Sequence, residues 1–232
     1  MTVYRLTETV AFPDPRDADP SGLLAVGGDL QPERLLLAYA SGIFPWYDEP
    51  PILWFSPEPR AALQPTELHI PRRLRRTLRS GRFELRLDSA FAEVVDACAG
   101  ARRTDQDGTW ITPEMARAYI RLHDLGFAHS AEAWRDGQLV GGLYGVAVGS
   151  AFAAESMFHR ERDAGNVALV ALVEQLAAWR FTLFDAQLPT EHLARFGISG
   201  WRRERYLSCL ADAVECDDRR GRWEFDREKD HS

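Results

Sequence analysis

One stretch of the chain, residues 151–192, constrains the fold more than any other. It has the pattern of a strand, a loop, a long apolar helix, a second strand and a polar turn. The helical part, residues 164–180, carries a broad apolar face made of Val167, Leu169, Val170, Leu172, Val173 and Leu176. A helical crossover of this length can join two neighbouring parallel strands as a right-handed βαβ unit. In open α/β sheets, binding sites tend to lie at the carboxyl ends of such strands.

Three polar residues interrupt these two apolar strands. Glu155 lies in AFAAESMF, whereas Asp185 and Gln187 lie in FTLFDAQLPTEH. Because side chains alternate between the two faces of a strand, Asp185 and Gln187 are expected to point to the same side. A carboxylate beside a carboxamide at the end of an apolar strand is a candidate catalytic pair. The alternative is a buried polar pair that only holds the end of the strand in place.

Composition limits the class of protein. A chain of 232 residues suits one large domain, or a small domain joined to a medium one. No apolar run approaches the length of a membrane span, and the N-terminal segment does not have the pattern of a signal peptide. The cysteines are odd in number and lack metal-ligand spacing, which favours a cytoplasmic protein; they are Cys98, Cys209 and Cys216. The scattered histidines predict no metal site.

A basic helix stands out in a chain whose net charge is −7. In HIPRRLRRTLRSG, the residues Ile70, Leu74 and Leu78 recur at helical spacing. The other faces of this helix carry Arg72, Arg73, Arg75, Arg76 and Arg79. Such a stripe on an acidic protein can attract phosphate groups locally, while the alternative is an ordinary solvated helix face.

The first part of the chain differs from the rest. Frequent proline and glycine predict a small N-terminal domain over residues 1–62, followed by a larger domain over residues 63–232. Five aromatic residues fall close together in the small domain: Phe44, Trp46, Tyr47, Trp54 and Phe55. They are expected to form a packed core, although a stacking surface centred on Trp46 is the alternative. Trp110 lies in a loop before a helix that begins near Thr112, which makes it a second candidate for function.

The larger domain has a regular order of elements. From Phe83 onward the pattern is strand, helix, helix, three strands, helix, strand, helix. Asp136-Gly137 predicts a tight hairpin turn between the first two of the three strands. An antiparallel meander that leads into a βαβ crossover is typical of an α+β fold.

In several long blocks the sequence resembles the leucyl/phenylalanyl-tRNA–protein transferase family. The matching blocks, in order, are GLLAVGGDL, LLLAYASGIFPWY, ILWFSPEPRA, GTWITPEMARAYIRLHDLGFAHS, GGLYGVAVG, ESMFHR and FDAQLPTEHLARFG. The resemblance covers the chain from about Phe12 to Tyr206. The resemblance implies an α+β fold in which a small N-terminal domain precedes a GNAT-like (N-acetyltransferase-like) domain with a mixed sheet and flanking helices.

The resemblance also implies an activity. Members of this family move leucine or phenylalanine from aminoacyl-tRNA to the N-terminal arginine or lysine of a protein, which marks that protein for N-end-rule degradation in the bacterial cytoplasm. Methionine is a further candidate for the transferred residue. Since the aminoacyl ester is already activated, no cofactor and no metal are expected. The partners are then charged tRNA and an acceptor protein or peptide, with no membrane involved.

The family's site residues carry over to positions of this chain. Asp185 would orient and polarise Gln187, and Gln187 would contact the attacking amine. The role of Glu155 is inferred from chemistry instead: a basic acceptor residue requires a nearby anion, and the alternative for Glu155 is a hydrogen bond to the bound amino acid. The apolar pocket would be lined by Leu143, Phe152, Met157, Leu169, Leu172, Leu176 and Phe184, although by pattern alone these are core residues.

Contacts with the tRNA follow from the same resemblance. Trp46 and Trp110 would stack on its single-stranded end, and the arginines of the basic helix would meet acceptor-stem phosphates. Two other functions stay open at this stage. An acyl-CoA-dependent N-acetyltransferase would share the fold, but the pyrophosphate signature that begins at Arg162 fails at Val167. A non-catalytic RNA-binding module would leave Asp185 and Gln187 unexplained.

Overall fold

The computed structural model describes residues 3–101 and 111–226. The N-terminal part contains strands β1 (Tyr4–Leu6), β2 (Leu23–Gly27), β3 (Phe44–Pro45) and β4 (Leu53–Phe55) and helix α1 (Pro32–Ala40). The rest contains β5 (Arg60–Leu63), α2 (Arg72–Arg79), β6 (Glu84–Leu87), α3 (Phe91–Ala99), α4 (Pro113–Asp124), β7 (Ala128–Arg135), β8 (Gln138–Val148), β9 (Ala151–His159), α5 (Ala164–Ala178), β10 (Leu183–Gln187), α6 (Glu191–Ala194), β11 (Ser199–Trp201) and α7 (Arg203–Val214). Short 3₁₀ turns lie at Pro15–Asp17 and Pro65–Glu67.

The strands form two sheets. The small sheet has the order β1-β2-β4-β3, and the large sheet has the order β11-β5-β10-β9-β8-β7-β6. In the large sheet β9 and β10 are parallel and are joined by α5, as the βαβ pattern predicted. Its other strand pairs are antiparallel, so the sheet is mixed.

Strand β5 lies across the predicted domain boundary at residue 62. It pairs antiparallel with both β10 and β11, so the segment that follows the small sheet provides a strand of the large one. The division into residues 1–62 and 63–232 stays a prediction. What the pairing establishes is that β5 brings the end of the N-terminal part directly beside β10.

Local sequence signals explain where several elements begin and turn. Helix α4 starts at Pro113, and the side chain of Thr112 accepts a hydrogen bond from the Met115 amide at 3.2 Å. Asp136 and Gly137 have φ values of 51° and 75°, as a tight hairpin turn between β7 and β8 requires. These turns confirm the boundaries expected from the sequence.

Close packing of α5 against the sheet depends on one glycine in particular. A Cβ atom at Gly141 of β8 would lie 2.6 Å from the Cβ of Ala164, at the start of α5. Because real Cβ atoms do not approach that closely, only glycine permits this contact. The helix is buried along most of its length and fills the core on one face of the large sheet.

The C-terminal segment 217–226 has no regular secondary structure, yet it is fixed to the domain. Its Trp223 is 2% exposed and donates its backbone N–H to the Asp88 carboxylate at 2.7 Å. The indole stacks on the ring of His129 with centroids 3.6 Å apart. The sequence pattern did not predict this segment. No helix among residues 3–101 and 111–226 is both long and apolar enough to span a bilayer.

Candidate active site

A cavity of about 310 Å³ opens where β9, β10, α5 and α6 meet β3. We call four of its lining residues the apolar wall: Leu143, Met157, Leu169 and Phe184. Facing the same cavity are the polar side chains Glu155, Ser156, Gln187, Thr190 and His192. Strand β3, which follows α1, contributes Phe44 and Pro45, and Trp46 comes directly after it. The cavity is therefore apolar over most of its surface and carries a small number of polar groups, as ligand sites do.

The structure separates the residues proposed from the sequence into those that line this cavity and those that do not. The lining includes Trp46, Leu143, Glu155, Met157, Leu169, Phe184 and Gln187. Phe152, Leu172 and Leu176 are fully buried in the core and are not part of the lining. Phe152 lies one layer behind the cavity, since its ring stacks on Phe184 with centroids 6.0 Å apart. Trp110 lies outside the described residues.

The end of β10 does not follow the alternation expected from the sequence. Phe184 and Ala186 line the cavity and Asp185 does not, as a regular strand requires. Gln187 should then share the face of Asp185, but it lines the cavity instead. Its φ is +62°, and the Leu188 N–H donates to the Ala186 carbonyl at 2.8 Å. This i to i+2 bond defines a γ-turn of the rare, strained form, and it redirects the Gln187 side chain.

The positive φ of Gln187 is energetically unfavourable, and backbone strain of this kind is often found at functional sites. A residue with a side chain rarely adopts a positive φ, and surrounding contacts must hold it there. At Gln187 one such contact is the Asp185 side chain, whose Oδ1 accepts the Gln187 N–H at 2.9 Å. The two residues are thus linked through the backbone of Gln187 rather than through its carboxamide.

Asp185 is buried together with a cation. Arg60 donates from Nε to Oδ1 at 2.8 Å and from Nη2 to Oδ2 at 2.7 Å, which is a two-pronged ion pair. Tyr206 donates its hydroxyl to Oδ2 at 2.9 Å. The side chains of Arg60 and Asp185 are only 1% and 4% exposed. Burial alone would lower the pKa of Arg60, but the neighbouring Asp185 charge outweighs it and raises the pKa above its usual value, so the guanidinium stays charged.

Glu155 is buried among neutral donors. Its Oε2 accepts the Tyr119 hydroxyl at 2.7 Å, and its Oε1 accepts Nε2 of Gln187 at 2.6 Å. The Tyr119 hydroxyl also lies 2.7 Å from that of Tyr39. Burial raises the pKa of Glu155 to about 7; hydrogen bonds from Tyr119, Tyr39 and Gln187 oppose the shift, and the Asp185 charge adds to it. Glu155 therefore titrates near neutral pH.

The hydrogen bond to Glu155 determines what Gln187 presents to a ligand. Because its Nε2 is engaged with the carboxylate, the Gln187 carboxamide offers its oxygen Oε1 to the cavity. A carbonyl oxygen in an apolar cavity accepts hydrogen bonds from an amine. Burial also raises the pKa of Tyr39 and Tyr119 well above the usual value, so their hydroxyls stay protonated donors. The arrangement can hold and orient a nitrogen nucleophile.

Sequence reasoning missed four members of this network: Tyr39, Arg60, Tyr119 and Tyr206. The signal for Arg60 was an arginine at the start of the otherwise apolar strand RAAL. Tyr206 lies on α7, and nothing in the sequence pattern indicated its hydrogen bond to Asp185. The tyrosines of α1 and α4 sit among apolar residues and are indistinguishable from core residues by spacing.

The basic helix and the aromatic cluster occupy separate positions. On α2 the five arginines are all exposed, whereas Leu74 is buried against the core. In the aromatic cluster Phe44, Tyr47 and Trp54 are buried, which confirms the predicted packed core. Trp46 is only half-buried, at the cavity, and its indole meets the edge of Phe55 with centroids 5.4 Å apart.

One group of side chains outside the cavity has the composition of a metal site. Potential ligand atoms of Asp88, His123 and His129 lie within 4.8 Å of one another. However, Asp88 Oδ2 lies 2.8 Å from His129 Nδ1, and His123 Nδ1 lies 2.7 Å from the Ala128 carbonyl. The Asp88 carboxylate is therefore engaged with His129 Nδ1 and the backbone N–H groups of Ser130 and Trp223, and His123 Nδ1 with a backbone carbonyl, whereas His129 Nε2 is buried without a hydrogen-bond partner among the described residues.

Comparison with known proteins identifies the family. A family model described as leucyl/phenylalanyl-tRNA protein transferase matches residues 62–211, and a model of its N-terminal domain matches residues 28–58. Proteins named leucyl/phenylalanyl-tRNA–protein transferase from Anaeromyxobacter sp. (strain Fw109-5) and Myxococcus xanthus (strain DK1622) are 57% and 54% identical to it. These alignments cover 97% and 96% of this chain and 97% of each relative. The chain belongs to the leucyl/phenylalanyl-tRNA–protein transferase family.

The family, enzyme class and α+β fold predicted from the sequence are therefore confirmed. The chain is an aminoacyltransferase that uses aminoacyl-tRNA and a protein as substrates, and neither alternative function is retained. Among solved structures, a GCN5-related N-acetyltransferase from Kribbella flavida resembles it with a TM-score of 0.39 and 16% identity, over 74% of this chain and 61% of that one.

Proposed function

We propose that this transferase moves leucine or phenylalanine from aminoacyl-tRNA to the N-terminal arginine or lysine of a protein, and that the cavity beside β10 is where the two substrates react. The observation that carries the proposal is a single cavity lined by both the apolar wall and the hydrogen-bonded Glu155–Gln187 pair. Methionine, which is also unbranched at Cβ, is a further candidate substrate.

The apolar wall would receive the side chain of the transferred amino acid. A cavity of about 310 Å³ lies at the small end of ligand sites, which suits one apolar side chain and its ester. Phe152 would support the wall from behind Phe184. Leu172 and Leu176 would do so as part of the buried face of α5. A pocket of this kind separates substrates that differ by one methylene by only about 1–3 kcal/mol.

Gln187 would orient the attacking amine. The reaction forms an amide bond between the acceptor α-nitrogen and the aminoacyl carbonyl, and it breaks the bond from that carbonyl to the ribose oxygen of the tRNA. The amine loses a proton and the departing ribose oxygen gains one. A carboxamide is a weak base, so Oε1 of Gln187 acts by holding the amine at the ester carbonyl. Asp185 holds Gln187 in place through the Gln187 N–H.

Glu155 would contribute charge and basicity. It lies in the cavity beside Gln187, and its pKa of about 7 is suitable for exchanging a proton at neutral pH. When ionised, it offers a negative charge to the cationic groups of the substrates. Those groups are the α-ammonium of the bound amino acid and the basic side chain of the acceptor.

The tRNA would contact two separate regions, Trp46 at the cavity and the arginines of α2. The half-buried indole of Trp46 is accessible for stacking on the terminal adenine, and Trp110 is proposed for the same role from the sequence alone. The exposed arginines of α2 would contact acceptor-stem phosphates without reading the sequence. Since charged tRNA is held in the bacterial cytoplasm, the reaction belongs there, where the added residue marks the acceptor for degradation.

The decisive experiment incubates the protein with leucyl-tRNA and a peptide that begins with arginine, and then weighs the peptide. We expect a mass increase of one leucine and no increase for a peptide that begins with glutamate. Gln187→Ala should slow transfer by about 100-fold, because the amine is no longer positioned. Gln175→Ala is the matched control, since both glutamines are 8% exposed but Gln175 bonds to Asp226 away from the cavity.

Two results would overturn the proposal. An unchanged peptide mass with the wild-type protein would reject the activity. Equal rates for Gln187→Ala and the wild type would reject the assigned role of the glutamine while leaving the activity intact.

A further inference from the structure

A buried arginine, Arg60, lies beside the candidate active site and joins Asp185 to the cavity lining. Arg60 is 1% exposed and begins strand β5, next to β10. Two of its nitrogens hold both carboxylate oxygens of Asp185. The same carboxylate accepts the N–H of Gln187, so Asp185 links Arg60 to the strained turn.

Arg60 also contacts Phe44, a second residue of the cavity lining. Its guanidinium lies 4.7 Å from the ring centroid of Phe44 and 4.7 Å from that of Tyr206. Phe44 lines the cavity, and the remaining nitrogen Nη1 donates to the Gly42 carbonyl at 3.1 Å, close to the end of α1. A rigid guanidinium held between two rings and forked onto a carboxylate has little freedom to move.

We propose that Arg60 is a positioning residue for the transfer reaction: it holds the Asp185 carboxylate, and through it the turn at Gln187, at a fixed distance from the Phe44 side of the cavity. This inference rests on the proposed function of the cavity. It also changes the role of Asp185. With Arg60 in place that carboxylate is a neutralised anchor for the Gln187 backbone rather than a group that polarises the carboxamide.

A purely structural arginine offers a matched comparison. Arg34 of α1 is 0% exposed and donates to the carbonyls of Thr7 and Glu8 at 2.8 and 3.3 Å. It also lies 3.3 Å from Asp29, and it does not line the cavity. Arg34→Met should therefore destabilise the protein without changing the chemistry of the transfer.

Arg60 also acts on Glu155 through its charge. Glu155 faces Tyr39 of α1, Tyr119 of α4 and Gln187 of β10, and the charged groups nearby are Arg60 and Asp185. The Asp185 charge raises the pKa of Glu155, while Arg60 and Glu155 attract each other. Removing the positive charge should therefore move the Glu155 titration to higher pH, and removing the negative charge should move it to lower pH.

The experiment compares Arg60→Met, Arg60→Lys, Asp185→Asn and Arg34→Met. Transfer of leucine to an arginine-initiated peptide gives kcat and KM, and carbon NMR of the glutamate side-chain carboxyls in the free protein gives the Glu155 titration. We expect Arg60→Met to lower kcat by about 100-fold with a nearly unchanged KM for the peptide, since positioning and not binding is lost. Arg60→Lys, which keeps the charge but loses the fork, should retain an intermediate kcat.

The titration separates a positioning role from a structural one. The Glu155 midpoint should rise in Arg60→Met and fall in Asp185→Asn, and it should stay unchanged in Arg34→Met. A kcat near the wild-type value in Arg60→Met and Arg60→Lys would overturn the inference, as would equal losses of kcat in Arg60→Met and Arg34→Met. If Arg60→Met does not fold, Arg60→Lys and Asp185→Asn supply the same test. If the wild type transfers nothing, the proposed function fails, and the Glu155 midpoints then decide on Arg60 alone.

Discussion

Two buried carboxylates on neighbouring strands have opposite surroundings. Asp185 on β10 is 3% exposed and faces a guanidinium, whereas Glu155 on β9 is 7% exposed and faces hydroxyl and amide donors. Both acids are desolvated, but only Asp185 has a cation within hydrogen-bonding distance. The two acids can therefore have different functions: Asp185 anchors the turn at Gln187, and Glu155 exchanges a proton.

The carboxylate of Asp185 is held in one geometry by Arg60 and Tyr206, whereas that of Glu155 can change its protonation state near neutral pH. An ion pair with a fork of hydrogen bonds keeps its charge and its geometry, which suits an anchor for the strained turn at Gln187. A carboxylate held only by neutral donors bears the cost of burial itself, so its pKa rises to about 7. The cavity thus has a rigid support in Asp185 and a titratable group in Glu155.

The largest expected effect comes from removing the anchor. Asp185→Ala leaves the Arg60 guanidinium buried without its counter-charge, and losing one partner of a buried pair costs about 3–5 kcal/mol of unfolding free energy. Urea unfolding of the variant and the wild type measures the loss. Glu204→Ala is the control, because Glu204 pairs with Arg16 at the surface and both side chains are more than half exposed, so its loss should have little effect on stability.

Equal losses for the two variants would contradict this view of the pair. They would mean that Arg60 finds other partners or water once Asp185 is gone. The comparison between the two carboxylates would then reduce to a difference in exposure.

The next effect follows from the titration of Glu155. Its pKa is raised from 4.5 to about 7 in the folded protein, so the protonated form favours folding. That contribution is fully present below about pH 4.5, and it is lost as the pH rises through 7, amounting to about 3 kcal/mol. Glu155→Gln removes the charge, so the stability of the wild type relative to this variant should fall over the same range.

Unfolding free energies of both proteins between pH 4.5 and 8.5 test this expectation. Parallel curves would show that Glu155 does not titrate in the folded state over this range. In that case the contrast with Asp185 would disappear.

Both carboxylates could be found from the sequence, but their different surroundings could not. Asp185, Gln187 and Glu155 interrupt apolar strands, and the long apolar helix predicted the parallel pair that brings those strands together. Period-two alternation then failed at Gln187, because a γ-turn with positive φ ends the regular strand there. The residue types of this segment do not predict a positive φ at a glutamine.

The partners were missed because they come from distant parts of the chain. Arg60 reaches Asp185 across 125 positions, and Tyr119 reaches Glu155 from a helix whose apolar face gives it no distinction. Such contacts depend on the order of strands in the sheet, which places β5 between β10 and β11. Phe152 was assigned to the lining for a related reason, since spacing cannot separate the first layer of a cavity from the second.

A smaller effect is expected at the apolar wall, where charge plays no part. Met157→Ala would enlarge the cavity beside Glu155 and should shift the preference from leucine toward phenylalanine by about 10-fold. Rates with leucyl- and phenylalanyl-tRNA, measured on one arginine-initiated peptide, give the ratio. Met115→Ala is the control, because Met115 is a fully buried methionine of α4 outside the cavity lining.

A change of the same size in both methionine variants would contradict the assignment of the wall. Loss of stability without a change in the ratio would show that Met157 is a core residue. Either result would reject a role for Met157 in selecting the transferred amino acid and would leave the roles of Glu155 and Gln187 unaffected.

The smallest effects should come from charges that are exposed, in contrast to the two buried carboxylates. Arg75 and Arg76 of α2 are solvated before tRNA binds, so replacing both by alanine should leave folding stability nearly unchanged. It should weaken the binding of charged tRNA and reduce the slope of log K against log salt by about 1–2, since about one counterion is released per phosphate contact. Binding measured at several salt concentrations gives the slope. Arg117 and Arg121, which are exposed on α4, form the control pair, and an equal reduction in both double variants would mean that tRNA senses only net charge and not the position of α2.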